Sequence, residues 1–459
     1  MVVSAFAACG TDTTDDPAAT TVAEGDGTTE GDGEQTESEV VEFDPSAEYV
    51  YKDSVSTMAT NWNPHTYQTV DDDYLTPYIR VGLYGFIFND ELNPVEGKEA
   101  YEGYVIIPEM AADMPVDVTE QVKEEHPEFG IPESATSGFA YTIDLNPDAV
   151  WEDGTPINAD TYVYSMKRLL APELLNYRAT DYYSNNFSIA GAEAYANGGS
   201  TAYSDAMSAY TLADLTKNED GQYVNADGKK MYIGLNVILS WLSGETLQTY
   251  VDTYGDAYFD TTNWDTLVSM MDAKGAIPLT DENLELFTTV IATEAWDETA
   301  EDAYNYFVVG TDYPVVDYDG TVGLYKSGDY QITLVLSRAL SGFNLLYNLT
   351  SNWIVYEDLY ESCLTETNGV WTSTYNTSVE TTMSYGPYKL TDYQTDKHMR
   401  LERNDTWYGY TDGKHIYVDP VDGQTYPMYM TTAIDTQVVA EASTRKMMFL
   451  SGELMTYGL

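Results

Sequence analysis

The four histidines, His65, His126, His398 and His415, are the side chains of this sequence best suited to proton transfer or metal ligation. They lie far apart, and none stands in a His-Glu-x-x-His run or at another metal-ligand spacing. No Gly-x-Ser-x-Gly elbow is present to expose a serine nucleophile on a strand-to-helix turn. The Gly-Asp-Gly runs near the start lack the strand and helix that a phosphate-cradling loop requires. Carboxylates are abundant, yet no spacing singles out two of them as a glycoside-cleaving acid/base pair. The expectation is a protein with no catalytic residue, no metal and no cofactor. What remains is recognition without chemistry.

Composition narrows the partner. Lys and Arg total 20 against 76 Asp and Glu, for a formal net charge of −56. Such a field repels phosphate backbones and excludes nucleic acid. The 41 tyrosines and 8 tryptophans suit a cleft that grips varied side chains, and they also fill cores and strands. The length of 459 residues accommodates two or three domains. No stretch is long and apolar enough to form a transmembrane helix. From Thr11 to Glu48 the chain is rich in Thr, Asp, Glu and Gly and has no Lys or Arg, which predicts a disordered acidic tether. The acids at Asp26 to Glu34 do not follow the ligand spacing of a calcium-binding EF-hand loop.

The two cysteines have different settings. Cys9 follows Ser4-Ala-Phe-Ala-Ala8 and precedes Gly10, whereas Cys363 stands alone in the globular part and reads as a buried, inert thiol.

Several local elements are legible. Asp153-Gly154 forms a turn pair and Pro156 holds the chain extended. Asn158 caps a helix with Asp160 in its first turn, Tyr162, Met166, Leu169 and Leu170 on one apolar stripe, Lys167 and Arg168 near the end, and Pro172 beyond. Tyr388 to Asp392 and His398 to Arg403 read as a hairpin about a polar turn at Tyr393 to Lys397. Phe139 to Leu145 and Tyr330 to Leu336 alternate as strands, Tyr49 opens another, and Asp71 to Phe88 reads as a helix. Between 200 and 319, helices are expected at Asp205 to Leu215, Thr246 to Tyr254 and Asp281 to Thr293. Asn218 to Gly228 reads as a hairpin or loop with two Asp-Gly turns.

In chain order, four segments resemble one family's motifs: Trp62-Asn-Pro-His65, Trp151-Glu-Asp-Gly-Thr-Pro156 with the capped helix after it, Tyr330-Gln-Ile-Thr-Leu-Val-Leu336, and Ser384-Tyr-Gly-Pro-Tyr-Lys-Leu390 with Arg400-Leu-Glu-Arg-Asn404. The family is solute-binding protein family 5, the extracellular receptors of oligopeptide and dipeptide ABC importers. The resemblance fades over 200–319 and returns at the end, where Ser451-Gly-Glu-Leu454 is similar to the element that opens the family's second large lobe.

The resemblance implies an α/β fold of the periplasmic-binding-protein-like type II class, with two large lobes and a small inserted lobe, the second large lobe mostly missing. It places the first large lobe at 49–65 and 325–436, the small lobe with its long insertion at 66–324, and the start of the second large lobe at 437–459. Residues 1–9 resemble the end of a lipoprotein signal peptide with Cys9 as the lipidated residue, although Phe6 stands where Leu is usual; 10–48 would be the tether. The implied function is capture of oligopeptides at the cell surface and delivery to ABC permease subunits, by a monomer lipid-anchored to the extracellular face of the bacterial cell membrane, or periplasmic if the source has an outer membrane. The implied ligand contacts are Gln68, Thr69 and Val70, offering backbone groups, and Tyr177 as a cleft aromatic. The alternative is a surface glycan-active or glycan-binding lipoprotein, suggested by the aromatic and acidic richness.

Overall fold

A computed structural model of the chain describes residues 47–98, 103–204, 210–241, 246–254, 261–272, 274–292 and 302–457. Cys9, the Asp26 to Glu34 acids and nearly all of the expected tether lie outside the described residues. Glu48, expected at the tether's end, belongs to the compact unit Glu48–Leu459 and meets the Arg400 guanidinium at 3.0 Å.

Three four-stranded sheets organise that unit. The first runs Val50–Val55, Ala433–Val438, His398–Arg403, Tyr388–Gln394, with its first pair parallel and the others antiparallel. The expected 388/398 hairpin is present, with Tyr393 and Gln394 still paired, so its turn is tighter than expected. Alternation sends Leu390, Met399, Leu401 and Ile434 into a core with Trp62, Leu75 and Ile79.

The second sheet runs Leu324–Gly328, Gln331–Val335, Ala140–Asp144, Val116–Asp117. Gln331–Val335 pairs in antiparallel register with Ala140–Asp144. A lobe boundary at 324/325 would therefore cut through one sheet, and these strands belong together. The helix Ala159–Leu169 packs against this sheet, and Asn158 caps it by accepting from the Asp160 and Thr161 amides. Tyr162, Met166 and Leu169 are buried on the stripe that the sequence predicts.

The third sheet lies within the expected insertion: Ala276–Pro278, Met231–Gly234, Phe307–Asp312, Thr201–Tyr203. Its core is its own, with Ile233, Trp264, Leu267, Phe287 and Phe307 all buried together. The expected helices appear as Leu247–Tyr254 and Asp281–Ile291, joined by Asn236–Trp241 and Thr261–Met270. The double-turn hairpin is present, with Thr216–Lys217 pairing Tyr223–Val224. Entry and exit share one neck, where Gly199 N–H donates to the Tyr313 carbonyl and Tyr313 N–H to that of Ser200, both at 2.9 Å.

Two expected helices are corrected. Asp71 to Phe88 is helical only over Asp72–Leu75 and Thr76–Ile79; Arg80 is extended, and Tyr84–Asn89 is a strand paired with Gly103–Pro108. The aromatic period of two at Tyr84, Phe86 and Phe88 outweighs the helical spacing. Of Asp205 to Leu215, the described part holds only the short 3-10 turn Leu212–Asp214, where Thr211 and Asp214 satisfy each other's polar groups.

The two most diagnostic sequence segments touch. Glu152 N–H donates to the Ser384 carbonyl at 2.9 Å, and Ser384 N–H donates to the Glu152 carboxylate at 3.0 Å. The Trp151 ring is buried edge-on against Tyr385 and Tyr356, with centroids 4.9 and 5.3 Å away. Gly154 takes φ +88 in the turn, a conformation that L side chains rarely adopt. Gly386 is required differently, since a Cβ there would lie 2.5 Å from the Arg80 nitrogen.

Another buried polar joint fixes the hairpin Ile416–Val418/Thr425–Pro427. The His415 ring stands between Asp412, 2.8 Å from Nδ1, and Glu109, 2.9 Å from Nε2, while Tyr408 donates to Glu109 at 3.0 Å. Carboxylates accept from both ring nitrogens, which favours the imidazolium; burial opposes charge, but the Glu109 and Asp412 bonds prevail and raise the His415 pKa.

Two predictions follow from these joints. Trp151→Ala should destabilise the fold by about 3–5 kcal/mol in denaturant unfolding. A raised histidine pKa contributes stability that is complete below about 6.5 and fades as pH rises through the folded-state value. The thermal-midpoint gap between the native chain and His415→Gln should accordingly narrow from pH 6 to alkaline pH.

Candidate functional site

The loop that the resemblance places at the ligand is held from beneath by polar bonds. Trp62 is buried, its indole donating to Thr382 at 3.0 Å and its amide to the Asn376 carbonyl at 3.0 Å. The Asn63 side chain accepts from the His65 amide at 3.0 Å, and the Asn63 carbonyl accepts from Thr66 and Tyr67. This closes a tight turn around Pro64. The buried His65 ring faces the Trp353 carbonyl at 3.0 Å through Nε2 and the Tyr360 hydroxyl at 3.1 Å through Nδ1. A carbonyl can only accept, so Nε2 carries the proton and Nδ1 accepts from Tyr360. Burial lowers the His65 pKa to about 3, against the Trp353 bond and with the nearby Arg80 charge. His65 is therefore a neutral structural pin.

Asp72 is the second pin. Its carboxylate accepts from the Thr60 and Asn61 amides at 2.8 and 3.0 Å and from the Thr69 hydroxyl at 2.7 Å. Burial pushes its pKa up, but the Thr60 and Asn61 amides and the threonine hydroxyls outweigh it, and the net shift is downward.

Above these pins, Gln68, Thr69 and Val70 are exposed, Val70 to 90%. The Thr69 hydroxyl is committed to Asp72. Among the described residues, the N–H groups of all three and the carbonyls of Gln68 and Thr69 have no hydrogen-bond partner within the protein. A short run of free backbone donors and acceptors thus stands on a rigid base.

Tyr177 opens the 3-10 segment Tyr177–Tyr182 and is 55% exposed. The next residue makes the connection that the sequence did not reveal. Arg178 N–H donates to the His65 carbonyl at 3.1 Å, its guanidinium lies 4.5 Å from the Tyr67 ring centroid, and it pairs with Asp181 at 2.6 Å. Loop and segment together border a cleft of about 370 Å³ lined by residues including Tyr67, Asp73, Arg178, Asp181, Asn348 and Asn352. The four expected contact residues flank this cleft in sequence and are not part of its lining. Tyr67 and Arg178 could have been found as immediate neighbours of Gln68 and Tyr177; Asp73, Asn348 and Asn352 carried no motif.

The cleft's charges are of both signs. Burial raises the Asp73 pKa, against a Thr76 hydroxyl bond and the Arg80 and Arg178 charges. Arg80 is buried outside the lining and donates to the Trp62 carbonyl, with Nη1 unpartnered among the described residues; Arg178, Asp73 and Asp181 are the charges that line the cleft. Such an arrangement can hydrogen-bond and charge-balance a polar ligand. The expected buried thiol is present at Cys363, which is unpaired. Among the described residues no helix is long and apolar enough to cross a membrane.

Comparison with known proteins places the chain. Residues 106–200 and 288–459 match the family described as bacterial extracellular solute-binding proteins, family 5 Middle, and the chain belongs to that family. The α/β fold expected from the resemblance stands with this membership. Family members are extracellular or periplasmic solute-binding proteins. The gap in the match opens at the neck where the third sheet begins. Among solved structures, peptide-bound OppA of Listeria monocytogenes is similar at 13% identity and TM-score 0.39, with 89% of this chain and 46% of that one covered. The substrate-binding domain of an oligopeptide ABC transporter from Bacillus anthracis is similar at 13% identity and TM-score 0.42, over 89% and 45%. The chain spans about half the length of these structures. No curated protein matches the sequence.

Asp72→Ala should destabilise the fold by about 1–3 kcal/mol through its orphaned amides. Because the folded carboxyl titrates below its unfolded value, its contribution is full above about pH 4 and is lost as pH falls through the lowered value. Urea unfolding at pH 7 and pH 3 should show a gap between native and variant protein that narrows in acid.

Proposed function

We propose that this chain captures oligopeptides outside the cell and delivers them to the permease of an ABC importer, holding the ligand without altering its bonds. The observation that carries this reading is the run of unpaired backbone groups at Gln68, Thr69 and Val70 beside the Tyr67–Arg178 cleft. A receptor for varied peptides must recognise what all peptides share, the repeating main-chain N–H and C=O. A loop whose own amides are free, on a base pinned by His65 and Asp72, offers that recognition at low entropic cost. Tyr177 and Tyr67 supply aromatic surface for side chains, and bridging water can complete polar contacts.

Membership of a solute-binding family supports a binding role over an enzymatic one. The peptide in the Listeria structure and the importer named with the Bacillus one support the ligand class and the permease partner. In this reading Cys9 is lipidated, 10–47 is the tether, and the protein works as a monomer on the extracellular face of the cell membrane, within the periplasm where an outer membrane is present. The first sheet represents the first large lobe and the second sheet the small lobe, with the insertion at 200–319 and a second large lobe beginning at 437. Capture then proceeds by closure of lobes around the ligand.

Calorimetry with a pool of short oligopeptides tests this. Val70→Pro deletes one free donor and should weaken binding by about 5–20-fold, whereas Val70→Ala should stay within about twofold. Equal affinity for Val70→Pro, or recovery of cleaved peptide, would end the reading.

A further inference from the structure

A second cavity, of about 760 Å³, shares no lining residue with the Tyr67–Arg178 cleft. It lies between the hairpin Tyr84–Asn89/Gly103–Pro108 and the hairpin Ile416–Val418/Thr425–Pro427. Its volume is in the range of small-molecule sites, roughly 300–1,000 Å³. The walls are apolar, with Phe88, Ile106, Ile107, Ile416, Val418 and Met428 among them.

These walls are fixed relative to one another. His415, one residue before the second hairpin, is held to Glu109, one residue after the first, at 2.9 Å. Met428 N–H donates to the His415 carbonyl at 2.9 Å. Asn93 accepts from the Val418 amide at 2.7 Å and donates to the Val418 carbonyl at 3.4 Å. The Phe88 and Tyr417 rings lie 6.1 Å apart between the two walls. The space is therefore built before any ligand arrives.

Among the described residues of the lining, the charged side chains are mostly positive. Lys98 and Lys414 both line it, and neither has an ion-pair partner among the described residues. Among the described residues of the lining, Glu96 is the one carboxylate. In a chain with a formal charge of −56, the described lining holds two ammonium groups against one carboxylate. An ammonium at the edge of an apolar wall attracts an anion whose body is apolar.

We propose that this cavity binds a small, free amphipathic carboxylate, its aliphatic body against the two hairpins and its anionic head at Lys98 and Lys414. The site is separate from peptide capture and stands whether or not the cleft binds peptide. A peptide fits it poorly, because walls so apolar leave main-chain groups without partners.

Titration calorimetry of the full chain tests this with decanoate, decanol and decyltrimethylammonium, each below its aggregation concentration. The expected result is saturable one-to-one binding of decanoate, at least about tenfold tighter than of the other two probes. The double substitution Lys98→Gln, Lys414→Gln should weaken decanoate by about tenfold or more and leave decanol unchanged. Ile107→Trp, which fills the cavity, should abolish uptake. Absence of saturable decanoate binding, equal affinity for all three probes, or undiminished affinity in the double lysine variant would overturn the proposal.

Discussion

The structure depends on the reciprocal pair of hydrogen bonds between Glu152 and Ser384, two residues 232 positions apart. Each residue gives its amide to an oxygen of the other, and the neighbouring Trp151 and Tyr385 rings meet edge-on in the same place. The contact joins the turn that feeds the capped helix to the segment that opens the 388/398 hairpin. Through it the second sheet and the first are held in one arrangement. The Ser384 hydroxyl and the Tyr385 amide reach the Ile79 carbonyl at 2.9 and 3.0 Å, and Gly386 lies against Arg80. The short helix that carries Asp73 and Thr76 toward the cleft is thereby fixed from behind.

Electrostatics in the described unit are economical despite the excess of acid. His65 is held neutral, Asp72 is ionised by amides, and Arg178 is shared between a ring and a carboxylate. Most surface ion pairs here, such as Lys326 with Asp160, are exposed and contribute little. The buried groups matter more because an orphaned partner in a dry interior costs more than a lost pair at the surface.

Legibility followed locality. The Asn158-capped helix and the 388/398 hairpin were readable because each rests on contacts within about a dozen residues, where capping and turn chemistry act. The strand Tyr84–Asn89 is harder to read because its pairing with Gly103–Pro108 is a register that neighbouring residues do not encode. The third sheet is unreadable for a related reason: Met231, Tyr232 and Ile233 pair with Val309, Val308 and Phe307, and a short apolar run does not announce so distant a partner. At the cleft, motif alignment led to Gln68, Thr69, Val70 and Tyr177. The lining residues beside them are set by a long-range contact, the bond from the Arg178 amide to the His65 carbonyl, which no local motif encodes.

The neck at Gly199–Ser200 and Tyr313 makes the third sheet a sidecar. Because the backbone departs and returns across one pair of hydrogen bonds, the host chain is left with the geometry of an ordinary closed loop. Lineages can lengthen, shrink or discard the excursion without re-threading the main body. The same junction is a natural place to splice a reporter into the protein.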